Sequence, residues 1–228
     1  MKKTTTYVFI LYLICTTSYS QILKGICISQ PLKGVGEETT LSKKGSKPMF
    51  YSYIYSNDKS IAQLISEEKT SIDTSYIEKY NQKFETTHTV RRPTSITYYK
   101  DFTTSDYKVL NTLDGIDMSI KERLPIQDWK LYNESKTING FSCKKATTTN
   151  TAFNSKQKIV AWYCEAIPVN DGPMHYHGLP GFIIQIEIDD TSTITFEKLA
   201  YVKDSFTIEE PKNKAKDLSY AEFLNQTK

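Results

Sequence analysis

Trp162-Tyr163-Cys164-Glu165-Ala166-Ile167-Pro168, then Asp171-Gly172-Pro173, then Gly178-Leu179-Pro180-Gly181-Phe182-Ile183-Ile184 make up most of residues 162 to 188. Two turn-forming clusters here lead into and out of apolar runs. Pro180-Gly181 suits the centre of a type II turn, because proline presets the first φ and glycine accepts the positive φ of the second position. Asp171-Gly172-Pro173 is a second chain reversal. Beyond it Phe182, Ile184, Ile186 and Ile188 recur at period two with Gln185, Glu187 and Asp189 between them, the pattern of a half-buried strand. A turn at Asp189 to Ser192 returns the chain, with Ile194 and Phe196 expected opposite Ile188 and Ile186.

Upstream, the cysteines set a register. If the hairpin turn centres on Phe153 and Asn154, Cys143 and Cys164 face each other on neighbouring strands. A Cys143–Cys164 disulfide is preferred to two free thiols, with Cys27 left over and a one-residue register slip as the alternative.

The blocks Asp128-Trp129-Lys130, Lys136-Thr137-Ile138, Gly140-Phe141-Ser142-Cys143 and Lys144-Lys145-Ala146 precede Ala161-Trp162-Tyr163, Ile167-Pro168, Gly172-Pro173 and the hexapeptide Gly178, Leu179, Pro180, Gly181, Phe182, Ile183. In this order, over about residues 90 to 200, they resemble the GLPGLI family of secreted proteins from Bacteroidetes-type bacteria. Phe182 stands where the family name has leucine. The resemblance supplies no activity. It implies an envelope setting, often beside outer-membrane TonB-dependent receptors.

Residues 1–20 read as a signal peptide: Lys2 and Lys3, an apolar core from Tyr7 to Cys15, and Ser18-Tyr19-Ser20 before Gln21. The apolar run is too short to span a membrane, and a lipoprotein reading of Cys15 meets Ile14 where a small residue is wanted. No second hydrophobic segment follows, so no membrane span is expected in the mature chain. Losing two lysines leaves 29 less 2, or 27, basic residues against 26 acidic ones, which excludes the basic stripe that nucleic acid needs.

Residues 21–48 read as an irregular leader and 49–228 as one β-rich domain. Met49 to Tyr55, Thr94 to Tyr99, Tyr107 to Leu110, Met118 to Leu124 and Lys130 to Tyr132 are strand candidates. Ser60 to Phe84 reads as a short helix behind a Ser60-x-x-Gln63 capping box, or as an irregular excursion. Ser219-x-x-Glu222 caps a closing helix. The expected fold is mainly β: a strongly curved antiparallel sheet or half-barrel with one or two short helices.

Chemistry concentrates at Met174-His175-Tyr176-His177. In an extended segment His175 and His177 point the same way and could hold copper or zinc, completed by Met174, Asp171, Glu165 or Cys164. With Asp171 they could also be drawn as a hydrolytic base, but no nucleophile motif accompanies them. Structural roles for both histidines are favoured, as for the isolated His88, and Trp129 reads as a core anchor. The leading expectation is a non-enzymatic envelope protein without a cofactor. It would bind an apolar or peptide ligand or assist outer-membrane transport; metal handling and hydrolysis are the alternatives.

Overall fold

The computed structural model describes residues 21–31, 47–66, 71–80, 82–150, 152 and 156–226. The signal peptide, most of the leader and the tip of the hairpin at residues 151–155 lie outside the described residues, apart from Ala152.

Among the described residues, fourteen strands and one helix follow in the order β1 (Gln21–Pro31), β2 (Met49–Ser56), β3 (Lys59–Leu64), β4 (Ser71–Lys79), β5 (Gln82–Val90), β6 (Pro93–Asp101) and β7 (Asp106–Leu113). Then come β8 (Ile116–Arg123), β9 (Lys130–Ile138), β10 (Phe141–Asn150), β11 (Gln157–Cys164), β12 (Phe182–Ile188), β13 (Ser192–Lys203), β14 (Asp217–Leu218) and α1 (Tyr220–Gln226). Twelve strands form one sheet in the order β14-β8-β7-β6-β3-β2-β1-β13-β12-β11-β10-β9, and β4 and β5 pair only with each other. All pairings are antiparallel except the short parallel one between β14 and β8.

Gln21 to Pro31 is not part of a leader. It is an interior strand, paired with β2 on one side and β13 on the other, with Ile22 and Leu23 almost fully buried. Its apolar residues come as the doublet Ile22-Leu23 and the triplet Ile26-Cys27-Ile28, because the pairing shifts register between Ile26 and Cys27. That bulge breaks period two and hides the strand from a pattern reading.

Ser60 to Phe84 holds no helix among its described residues. Ser60 and Ala62 are buried alternately in β3, so the spacing of Ile61, Leu64 and Ile65 mimics a helix by coincidence. His88 lies on β5, in register with Asp73.

The β10–β11 register is the one the sequence implies, from Asn150 opposite Gln157 to Lys144 opposite Tyr163. Across β12 and β13 it is shifted by two residues: Ile186 faces Ile194 and Ile188 faces Ser192. A tight turn causes this, with Asp189 and Asp190 at positive φ and the Thr191 amide donating to Ile188 O at 2.8 Å. A two-residue shift keeps each side chain on its original face, so the hairpin's apolar face survives.

The sheet is open rather than curled into a half-barrel, with β9 and β14 at its edges. Added segments cover its two faces instead. The loop from Glu165 to Gly181 buries Ile167, Val169, Tyr176 and Leu179 against one face, beside Phe182, Phe196 and Tyr53. On the other face the chain after β13 buries Ile208, and Lys108 pairs with Glu210 at 3.1 Å and Asp217 at 2.9 Å. α1 then carries the expected capping box: the Glu222 carboxylate accepts from the Ser219 amide at 2.7 Å, and the Glu222 amide donates to Ser219 Oγ at 3.2 Å.

Candidate functional site

The loop between β11 and β12 is laced to itself and to the strand it feeds. The Val169 amide bonds Ile167 O at 2.8 Å, Tyr176 bonds Pro173 O at 3.1 Å, and Gly178 bonds Asn170 O at 3.1 Å. The expected type II turn at Pro180-Gly181 is replaced by a tighter one, with the Gly181 amide on Leu179 O at 2.8 Å. The Phe182 amide, which a type II turn would use, goes to Ile167 O at 3.1 Å. Gly181 has φ +146, and a Cβ there would meet Cys164 O at 2.4 Å. Glycine is required at this crossing.

Inside the loop lies a polar cluster assembled from three distant parts of the chain. Asp171, with no exposed surface, accepts from Tyr53 Oη at 2.7 Å and from its neighbour Gly172 N at 2.6 Å. Lys100 Nζ donates to Asp171 Oδ1 and to Gly172 O. Burial holds Lys100 below the ordinary lysine range, against the opposing pull of Asp171. Tyr53 is held well above the usual phenol range, first by burial and then by the Asp171 charge. Three donors from β2, β6 and the loop itself thus converge on one buried carboxylate.

His175 and His177 sit beside this cluster but do not form the extended pair the sequence allows. Met174 takes φ +51, and the turn from Pro173 to Tyr176 breaks the strand geometry. The His175 ring centre is 4.2 Å from that of Tyr176 and 6.0 Å from that of Tyr107. Burial, then the charge of Lys100, pulls His175 down to about 3. His177 Nε2 lies 2.9 Å from Pro125 O, which fixes Nε2 as the protonated nitrogen, and its backbone is clamped by Trp129 Nε1 on His177 O at 2.8 Å.

Two of the other suggested metal ligands are engaged elsewhere. Glu165 pairs with Lys144 at 2.7 Å, and Asp171 is saturated as described. No group of three or more His, Cys, Asp or Glu side chains has metal-binding geometry among the described residues.

Cys27, Cys143 and Cys164 are buried free thiols, so the expected Cys143–Cys164 disulfide is not formed in this structure. The register brings the two residues to the end of the paired ladder, beyond Lys144–Tyr163. There β11 shifts its pairing with β12 between Trp162 and Tyr163, and regular cross-strand geometry ends. Sequence reading missed Lys100 and Tyr53 as partners of Asp171. The one available signal was a lysine at the inward-facing phase of β6, two residues from Tyr98.

Residues 149–185, which include the whole loop and Asp171, match the model of a family described as "Protein of unknown function (Porph_ging)". No curated protein matches the chain. Its fold is similar to two structures of PNGF-II, in the C2 and P21 space groups. Each has a TM-score of 0.50 and covers 82% of this chain, at 14% and 13% identity. The chain spans less than a third of PNGF-II, 28% and 29% in the two structures. The likeness is one of fold.

Proposed function

We propose that this protein is an exported, non-catalytic binding protein of the cell envelope, of the GLPGLI type, working as an accessory to an outer-membrane transport system. One observation carries the non-catalytic reading. The cluster with catalytic residue types, Tyr53, Lys100, Asp171 and His175, is buried, and Asp171 is saturated by hydrogen bonds, so no substrate reaches a reactive atom. Its role is to pin the loop to the sheet. The signal-like N-terminus and the ordered GLPGLI-like blocks support export and the envelope setting. No helix among the described residues is long and apolar enough to cross a membrane.

The test is native mass spectrometry of the mature protein purified from its own envelope. A small molecule carried at fixed stoichiometry is the expected result. Turnover of an ester or peptide substrate that disappears in Asp171→Asn would overturn the non-catalytic reading. A bare polypeptide in every preparation would overturn the small-ligand reading.

A further inference from the structure

An accessible concavity lies apart from the buried cluster, where the segment that leads into β9 meets β10 and β11. Asp128, Lys130 and Tyr132 alternate along the approach to β9 and its start, and Thr147, Thr149 and Lys158 complete a cleft of about 580 Å³. Register explains the convergence: Lys130 is opposite Thr147 on β10, and Thr149 is opposite Lys158 on β11. Paired residues share a face, so three adjacent strands offer one polar surface.

The charges of this cleft are unevenly matched. Lys145 is paired with Glu134 at 2.8 Å, whereas the ammonium groups of Lys130 and Lys158 have no carboxylate within ion-pair distance among the described residues. Lys130 and Lys145 stand 5.4 and 5.5 Å from the ring centre of Tyr132. Thr147 Oγ1 donates to Tyr132 Oη at 3.4 Å, while Thr149 is exposed and its hydroxyl has no hydrogen bond among the described residues. Asp128 adds an acceptor on the wall.

We infer that this cleft binds an acidic saccharide, with a carboxylate or sulfate of the sugar between Lys130 and Lys158 and its hydroxyl groups on Asp128, Thr149 and Tyr132. Two cations select an anionic group, while an acceptor carboxylate and hydroxyls select a ligand rich in O–H donors. An acidic peptide fits less well. Peptides are taken by an open strand edge or by apolar pockets. Among the described residues the only aliphatic liner is Ile126, 95% exposed at the rim, and β9 is bulged against β10 between Leu131 and Ser135, which breaks the edge a peptide strand would use.

This assignment rests on the binding reading above and is tested separately from it. Calorimetric titration of the mature protein uses trigalacturonate, the neutral maltotriose and triglutamate as probes. Trigalacturonate is expected to bind at least about tenfold more tightly than either of the others. Lys130→Ala/Lys158→Ala is expected to lose about tenfold in that affinity and Thr149→Val a smaller share, with melting temperature unchanged because all three side chains are exposed. Equal affinity for triglutamate, an unchanged affinity in the double variant, or no binding of trigalacturonate would each overturn it. An envelope-derived ligand still carried by the double variant would remove this site while leaving the binding reading intact.

Discussion

Lys100 on β6 and Asp171 in the β11–β12 loop, 71 residues apart in sequence, form an ion pair whose side chains are 3% and 0% exposed. The pair, with Tyr53 as a third member, fastens the loop to the sheet it covers. Breaking a buried pair by removing one partner leaves an uncompensated charge and costs ~3–5 kcal/mol, whereas replacing both partners with apolar residues of similar size is often neutral. Lys100→Met and Asp171→Leu are each expected to lower stability by that amount in urea denaturation. The double variant is expected to recover at least half of the loss. Additive losses would show that the two residues do not act as a pair.

Gly181 is the position where the loop crosses the end of β11. With φ +146 and Cys164 O in the space a Cβ would fill, Gly181→Ala is expected to destabilise by at least ~1–3 kcal/mol. Gly115 also has positive φ but open space around it, so Gly115→Ala is expected to cost less. Equal midpoints for the two variants would show that contact with Cys164 is unimportant.

Acid sensitivity should centre on His175, which faces Lys100, His177, Tyr107 and Tyr176. Its folded-state value, about 3, lies below the ordinary 6.5, so the unfolded chain binds more protons between these limits. The stability contributed by the neutral ring is therefore complete above pH 6.5 and is lost as pH falls from 6.5 towards 3. His177 is shifted in the same direction. Denaturation midpoints between pH 7 and 4 should fall more steeply for the native protein than for His175→Phe. Parallel slopes would contradict the burial of a neutral imidazole.

Burial raises the Cys27 thiol to about 12 and the Cys143 thiol to about 11. Since the thiolate is the reactive form, a maleimide at pH 7 is expected to label neither at an appreciable rate in the folded protein. In denaturant without reductant Cys27, Cys143 and Cys164 should all label. One labelled cysteine and a mass two daltons below that of the reduced chain would show that Cys143 and Cys164 are bridged.

Much of this fold follows from short-range pattern. Alternation at Phe182 to Ile188, the turn at Asp189-Asp190, the Ser219/Glu222 capping box and the β10–β11 register all depend on residues within about twenty positions of one another, where period and turn chemistry act directly. The sequence likewise identified Asp171, His175 and His177 as the chemically dense part of the chain. Only the tertiary structure decided what they do. It placed Lys100 and Tyr53 on Asp171, set Met174 and His175 in a turn rather than a strand, and inserted Gln21–Pro31 between β2 and β13. It also left the sheet open beneath a covering loop. The Asp171 cluster and the place of β1 depend on residues meeting that are 20 to 182 positions apart, as with Ser29 opposite Met49 or Gln21 opposite Lys203. Apolar burial drives such meetings without regard to sequence separation, so no local pattern records which partner is chosen.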